Sequence, residues 1–144
     1  MKTTTGHRLN ALILGLALSF AASTSVSWAA GPHVGAVKSV EPQATIAPAG
    51  KEPAVVTLNN GVSMADIVRT DVNGFVKIEF KDGSMLTVNP GSNLTIDEYV
   101  YDSSTNAGTL VMSVGSGVAR FVSGSMRKEN IRIRTTTATM GLRG

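Results

Sequence analysis

Two apolar runs hinged at Asp82-Gly83 constrain this chain more than any other feature. In Val76-Lys77-Ile78-Glu79-Phe80-Lys81 apolar side chains alternate with charges, a period of two that puts Val76, Ile78 and Phe80 on one sheet face and the charges on the other. Leu86 and Val88 supply the apolar face of a returning run. The intervening Asp82-Gly83 suits a two-residue type I′ turn, in which both central residues take φ > 0, a geometry that glycine adopts freely and aspartate tolerates. These residues predict a half-buried hairpin and specify no chemistry.

The same signals recur along the chain. Ala54-Val55-Val56-Thr57-Leu58 is β-branched and ends at the turn pair Asn60-Gly61, and residues 62–70 read as a strand with a bend. Pro90-Gly91 marks a reversal, because proline fixes φ and glycine permits the turn. Asn93-Leu94-Thr95-Ile96-Asp97-Glu98-Tyr99-Val100-Tyr101 alternates again, Leu110-Val111-Met112-Ser113-Val114 and Val118-Ala119-Arg120-Phe121-Val122 flank Gly115-Ser116-Gly117, and Ile131-Arg132-Ile133-Arg134-Thr135 reads as the last strand. No stretch has the 3.6-residue period of a helix. The pattern predicts an all-β domain, a compact roll or sandwich or a short solenoid-like stack. Its strands would be short, mainly antiparallel and joined by Gly, Asn and Asp turns in meander fashion.

At 144 residues the chain has room for one domain with a core that needs no staples. It contains no cysteine, which excludes disulfides, thiolate metal sites, a thiol nucleophile and N-terminal lipidation through cysteine. Residues 1–29 read as a signal peptide: Lys2, His7 and Arg8 form a basic start, residues 11–22 are uncharged and largely apolar, and Ser27 and Ala29 are the small residues of a cleavage site. The apolar run is too short for the ~20 residues that span a bilayer. Cleavage after Ala29 would leave no transmembrane segment and a periplasmic or secreted protein. It would also remove Lys2 and Arg8 from the thirteen Lys and Arg, leaving eleven against ten Asp and Glu, a balance with no nucleic-acid footprint. Residues 30–53 form a Pro/Gly-rich lead-in with a possible weak edge strand at Val34-Gly35-Ala36-Val37-Lys38-Ser39-Val40, and residues 54–144 form the β domain.

Candidate chemistry is sparse. His33 would remain as the one histidine after processing and reads as an exposed terminal residue without partners. Asp82, Asp97, Glu98 and Asp102 are the acidic grouping that could meet a hard cation, yet they lack the spacing of an EF-type loop and read as solvated carboxylates. Ser84, Ser92 and Ser113 have no evident base. Met64, Met85, Met112, Met126 and Met140 are scattered and read as core filler rather than a soft-metal site. These readings predict no enzyme activity, no catalytic or metal site and no cofactor. Arg120, Arg127, Lys128, Arg132, Arg134 and Arg143 concentrate positive charge in the last twenty-five positions, as a solvated face or a docking strip for an acidic partner.

Several of these segments, taken in order, resemble the FecR domain family of exported bacterial proteins. They are Leu58-Asn59-Asn60-Gly61, Ile67-Val68-Arg69-Thr70-Asp71, residues 76–84 ending in Asp82-Gly83-Ser84, Leu86-Thr87-Val88-Asn89-Pro90 with Ser92, residues 94–101, residues 115–122, and Ile133 to the end of the chain. The resemblance covers roughly residues 53–144. It implies a non-catalytic β domain for protein interaction or ligand sensing at the cell envelope, with another envelope protein or a cell-wall component as partner. The best-known members of the family are inner-membrane regulators whose periplasmic domain relays a signal from a TonB-dependent transporter to a cytoplasmic sigma factor. Only residues 1–10 precede the apolar run here, so no anti-sigma arm is expected. The family pattern continues with a further strand where this sequence stops, so the domain is expected to be truncated and its edge open. A structural envelope domain or the front part of a larger surface protein is one alternative expectation, and a component of transporter-to-sigma-factor signalling without its own anti-sigma arm is the other.

Overall fold

The computed structural model describes residues 32–41 and 44–142, so the expected signal peptide (residues 1–29) and Arg143 lie outside the described residues. Among the described residues twelve strands form two sheets. The first holds β1 (His33–Val40), β4 (Gly61–Ser63), β6 (Val76–Phe80), β7 (Met85–Val88) and β10 (Ala119–Val122), in the order β10-β7-β6-β1-β4. The second holds β2 (Ala44–Ala47), β3 (Ala54–Val55), β5 (Ile67–Thr70), β8 (Asn93–Asp102), β9 (Ala107–Ser116), β11 (Ile131–Thr135) and β12 (Thr139–Gly141), in the order β12-β11-β9-β8-β5-β2-β3.

The alternation read in the sequence decides which side chains meet between the sheets. Val37, Val62, Val76, Ile78, Leu86 and Val88 come from the first sheet, and Val68, Leu94, Ile96, Leu110, Met112 and Ile131 from the second, into one buried cluster. Burying each such side chain is worth about 1.5–3 kcal/mol, so the shared core is what holds the layers together. Across it the Phe80 ring stacks on Tyr99, with centroids 5.2 Å apart and planes 16° from parallel. The domain is an all-β sandwich, as the strand signals predict.

The connections differ from a meander. Hairpins join β2 to β3, β6 to β7, β8 to β9 and β11 to β12, but the other connections between described strands cross from one sheet to the other. The chain leaves β9 for β10 in the opposite sheet and returns as β11, which therefore pairs with β9 in parallel, Ile131 beside Leu110 and Arg134 beside Ser113. Local patterning specifies faces and not sheet membership, because the partner strand is chosen by burial far along the chain. For the same reason residues 33–40 are not an edge strand: β1 lies between β6 and β4 in its sheet. The lead-in also contributes β2, which pairs with β5, where proline and glycine content pointed to loop.

The turns show similar adjustments. Asn60-Gly61 is not itself the reversal. Asn59 takes φ 65 within the Thr57 to Asn60 turn, and Gly61 already begins β4. At Asp82-Gly83 only the glycine has positive φ, 79. Gly83 N–H donates to Phe80 O at 3.0 Å and Phe80 N–H to Ser84 O at 2.9 Å, the bonding of a type I turn followed by a glycine bulge rather than of type I′. Asp82 is thereby free to adopt an ordinary backbone conformation and turn its carboxylate inward. Gly91 takes φ 67 directly after Pro90.

A β-branched residue at position 83 would be strained. Gly83→Val should lower stability by roughly 1–3 kcal/mol, read as a lower midpoint in a denaturant titration. An unchanged midpoint would remove the glycine bulge from the account.

Candidate binding surface

Asp82 and Ser84 are the most chemically provocative residues of the hairpin, and the fold buries both: Asp82 is 4% exposed and Ser84 0%. This corrects the expectation of a solvated turn carboxylate. Asp82 Oδ2 accepts from the Ser84 hydroxyl at 2.5 Å, and Oδ1 accepts from Ser84 N–H at 3.2 Å and from the Tyr99 hydroxyl at 3.1 Å. Tyr99 also receives the Asp82 N–H at 3.0 Å. From the other side, Gly124 N–H donates to Ser84 Oγ at 2.9 Å, and Ser125 donates from both its N–H and its hydroxyl to Asp82 O. A Cβ on Gly124 would collide with the backbone of this turn. The carboxylate therefore anchors the hairpin to β8, while the Ser84 hydroxyl and the Asp82 carbonyl tie it to the β10–β11 loop.

A second polar knot sits at the β7–β8 turn. Ser92, 3% exposed, donates its hydroxyl to Val118 O at 3.0 Å and accepts Val118 N–H at 2.9 Å, while its own N–H reaches Thr70 Oγ1 at 3.0 Å. A side chain here does what a strand neighbour would do, and it pins the crossing from β9 to β10. Two of the three serines considered as nucleophiles are thus buried in structural bonds. The third, Ser113, donates to Asp97 Oδ2 at 2.5 Å on the outer surface. Asp97, Glu98 and Asp102 are exposed, and Asp102 is held below its ordinary pKa by the Ser104 hydroxyl and N–H. Among the described residues no group of three His, Asp or Glu is placed to hold a metal ion. Met112 and Met126 fill the core, Met85 is half-buried, and Met64 and Met140 are exposed. His33 is exposed but has a neighbour, its Nδ1 lying 3.3 Å from Ser63 Oγ across the β1–β4 pair.

The cationic residues grouped by sequence do not form one strip. Arg120 is exposed on β10 beside Thr87 of β7, on the first sheet. Arg127 and Lys128 are exposed on the loop and single 3-10 turn (Lys128–Asn130) before β11. Arg132 and Arg134 do share a face: with Ile131 buried, both project from the outer side of the second sheet. Arg132 lies between Val111 and Gly141, and Arg134 between Ser113 and Thr139. Among the described residues neither guanidinium makes an ion pair; the bridge recorded there joins Lys38 to Glu79 at 2.9 Å on the other sheet. The pair stands next to the sheet's end. That end is β12, absent from the sequence reading, and its three residues are all exposed. Among the described residues β11 is paired on both sides, and the outer edge of β12 has no described partner strand.

Tyr99 carries a pH consequence. Burial pushes its phenol above the ordinary value, and the neighbouring Asp82 carboxylate acts in the same direction. A raised folded pKa means that stability is full below the unfolded value of about 10 and is lost as pH climbs past it. Denaturant midpoints should therefore fall above about pH 10, and Tyr99→Phe should show a lower midpoint at neutral pH with a shallower alkaline decline. Equal alkaline slopes would show that the decline comes from other groups. Ser84→Ala leaves a buried carboxylate oxygen and the Gly124 N–H without this partner, and should lower stability by about 1–3 kcal/mol in the same titration.

A family model described as FecR protein matches residues 66–144. No curated protein and no solved structure matches at a significant level. The matched region begins just ahead of β5 and takes in both polar knots, the crossing from β9 through β10 to β11, and the closing β12. On that match, which spans more than half of the sequence, the chain belongs to the FecR protein family.

Proposed function

We propose that this chain is an exported, non-catalytic recognition module of the bacterial cell envelope, docking another envelope protein or a cell-wall component. The observation that carries the reading is the Arg132 and Arg134 pair, exposed beside an edge of β12 that pairs with no strand among the described residues, while the buried hydroxyls and carboxylate of the Asp82 and Ser92 knots are engaged inside the fold. Guanidinium groups meet carboxylate or phosphate in a planar, bidentate way. A bare strand edge offers N–H and C=O groups to an added strand. Charge would steer the partner and backbone bonds would hold it. Family membership favours a place in envelope signalling. No helix among the described residues is long and apolar enough to cross a membrane. The module is proposed to work without a cofactor, in the periplasm or outside the cell.

Replacing both Arg132 and Arg134 with Ser should leave the denaturant midpoint nearly unchanged. Capture of the partner from envelope extract should weaken and lose much of its salt dependence, since exposed charges are screened over about 10 Å at 0.1 M salt. Equal recovery of the same partner by both proteins, at low and high salt, would reduce the two arginines to a solvated face. Export should remove the first 29 residues, so intact-mass measurement on the exported protein should give a chain starting at Ala30. A mass that includes Met1 would overturn the exported reading.

A further inference from the structure

On the side of the molecule where β1 begins, a groove of about 730 Å3 opens between the two sheets. It lies within the range of small-molecule sites, roughly 300–1,000 Å3, and its residues come from β1, β4, β8, the β2–β3 segment and the β6–β7 turn. Val34 and Ile46, 5% and 6% exposed, contribute to an apolar wall. At the groove Met64 and Val100 keep large apolar side chains about half exposed, 48% and 58%. A side chain of that kind gains stability when a ligand covers it.

Among the described residues the charged groups along the groove are Asp66, Lys51 and Lys81, with His33, Asn60 and Ser63 as further polar neighbours. Tyr99 and Tyr101 line it, but their hydroxyls are engaged, with Asp82 in the first case and with Asn106 and Ser125 in the second. Tyr101 therefore offers ring surface more than hydrogen bonds, and Tyr99, 6% exposed and stacked on Phe80, offers little of either. Asp66 is the one carboxylate in the lining; it is 4% exposed and accepts from Ser63 N–H at 2.8 Å. Two lysines also line the groove, Lys51 from the β2–β3 segment and Lys81 from the β6–β7 turn, both exposed and neither in an ion pair among the described residues. Apolar walls with two unengaged cations fit a molecule with an apolar body and an anionic head.

We propose that this groove binds a free monoacyl anion, an aliphatic chain ending in a carboxylate. The acyl chain would lie against Val34, Ile46, Met64 and Val100, and the head would face Lys51 and Lys81. The site is separate from the Arg132 and Arg134 pair, so it stands or falls without the docking reading above.

Dodecanoate, kept below its micellar concentration, is the probe, and 1-anilinonaphthalene-8-sulfonate bound to the mature chain is the reporter it should displace. Dodecanoate should displace the dye saturably, with acetate and dodecyltrimethylammonium far weaker, because each lacks one half of the recognised chemistry. Lys51→Ser and Lys81→Ser together should weaken dodecanoate about three- to tenfold, and Met64→Glu should weaken it by at least as much. Lys51→Ser alone, which leaves the hairpin turn untouched, should give part of the loss with an unchanged denaturant midpoint. Non-saturable displacement, equal binding of the cationic and anionic chains, or unaltered affinity in both the lysine and the Met64 variants would overturn the proposal. Preferential binding to phosphatidylglycerol vesicles over free dodecanoate would also overturn it, assigning the groove to a lipid surface.

Discussion

The buried carboxylate of Asp82 is the interaction on which the rest of the sandwich depends. A charged group of that kind is unfavourable inside a protein unless it has hydrogen-bond partners, and here they are Ser84 within the hairpin and Tyr99 on the opposing sheet. The neighbouring loop is tied to the same turn through Gly124 on the Ser84 hydroxyl and Ser125 on the Asp82 carbonyl. Hydrophobic burial brings the layers together without fixing how they slide. A satisfied polar centre does fix it, because a small displacement would leave a buried acceptor unpaired.

The knot at Ser92 does related work for topology. Between β9 and β10 the chain must leave one sheet for the other, and a crossing segment cannot satisfy its backbone through ordinary ladder bonds. Ser92 takes up both the N–H and the C=O of Val118 at that point. Beyond it the chain can return as β11 alongside β9 and close with β12. The two arginines reach the outer face because the return places Ile131 in the core, and the alternation along β11 does the rest. The surface proposed for docking is thus a consequence of the crossing.

Much of this was legible in the residues. The alternation in Val76 to Phe80, Asn93 to Asp97 and Ile131 to Arg134 predicts the strands and their inner faces, since side chains alternate with a fixed period of two whatever the sheet becomes. The interrupted stretches were less legible. His33 to Val40 mixes glycine and small residues and reads as a weak edge, yet it becomes an interior strand because β6 and β4 flank it on both sides. Thr139 to Gly141 carries no strand pattern at all and pairs with β11 through backbone alone. The acidic grouping also split: a carboxylate beside a glycine in a turn is ordinarily wet, and its burial here takes Tyr99, seventeen residues on, as well as the nearby Ser84.

By itself, then, the sequence determined the class of fold, the positions of its regularly alternating strands and which of their side chains would face inward, because these follow from propensity and from a two-residue period that any sheet must obey. Tertiary structure alone decided which strands share a sheet, that β9 and β11 run parallel, that Arg120 parts company with Arg132 and Arg134, and that Asp82 is interior. The reason is physical. Pairing and burial of a polar group are settled by partners distant in the chain, and no local pattern encodes a partner that only folding brings within hydrogen-bond reach.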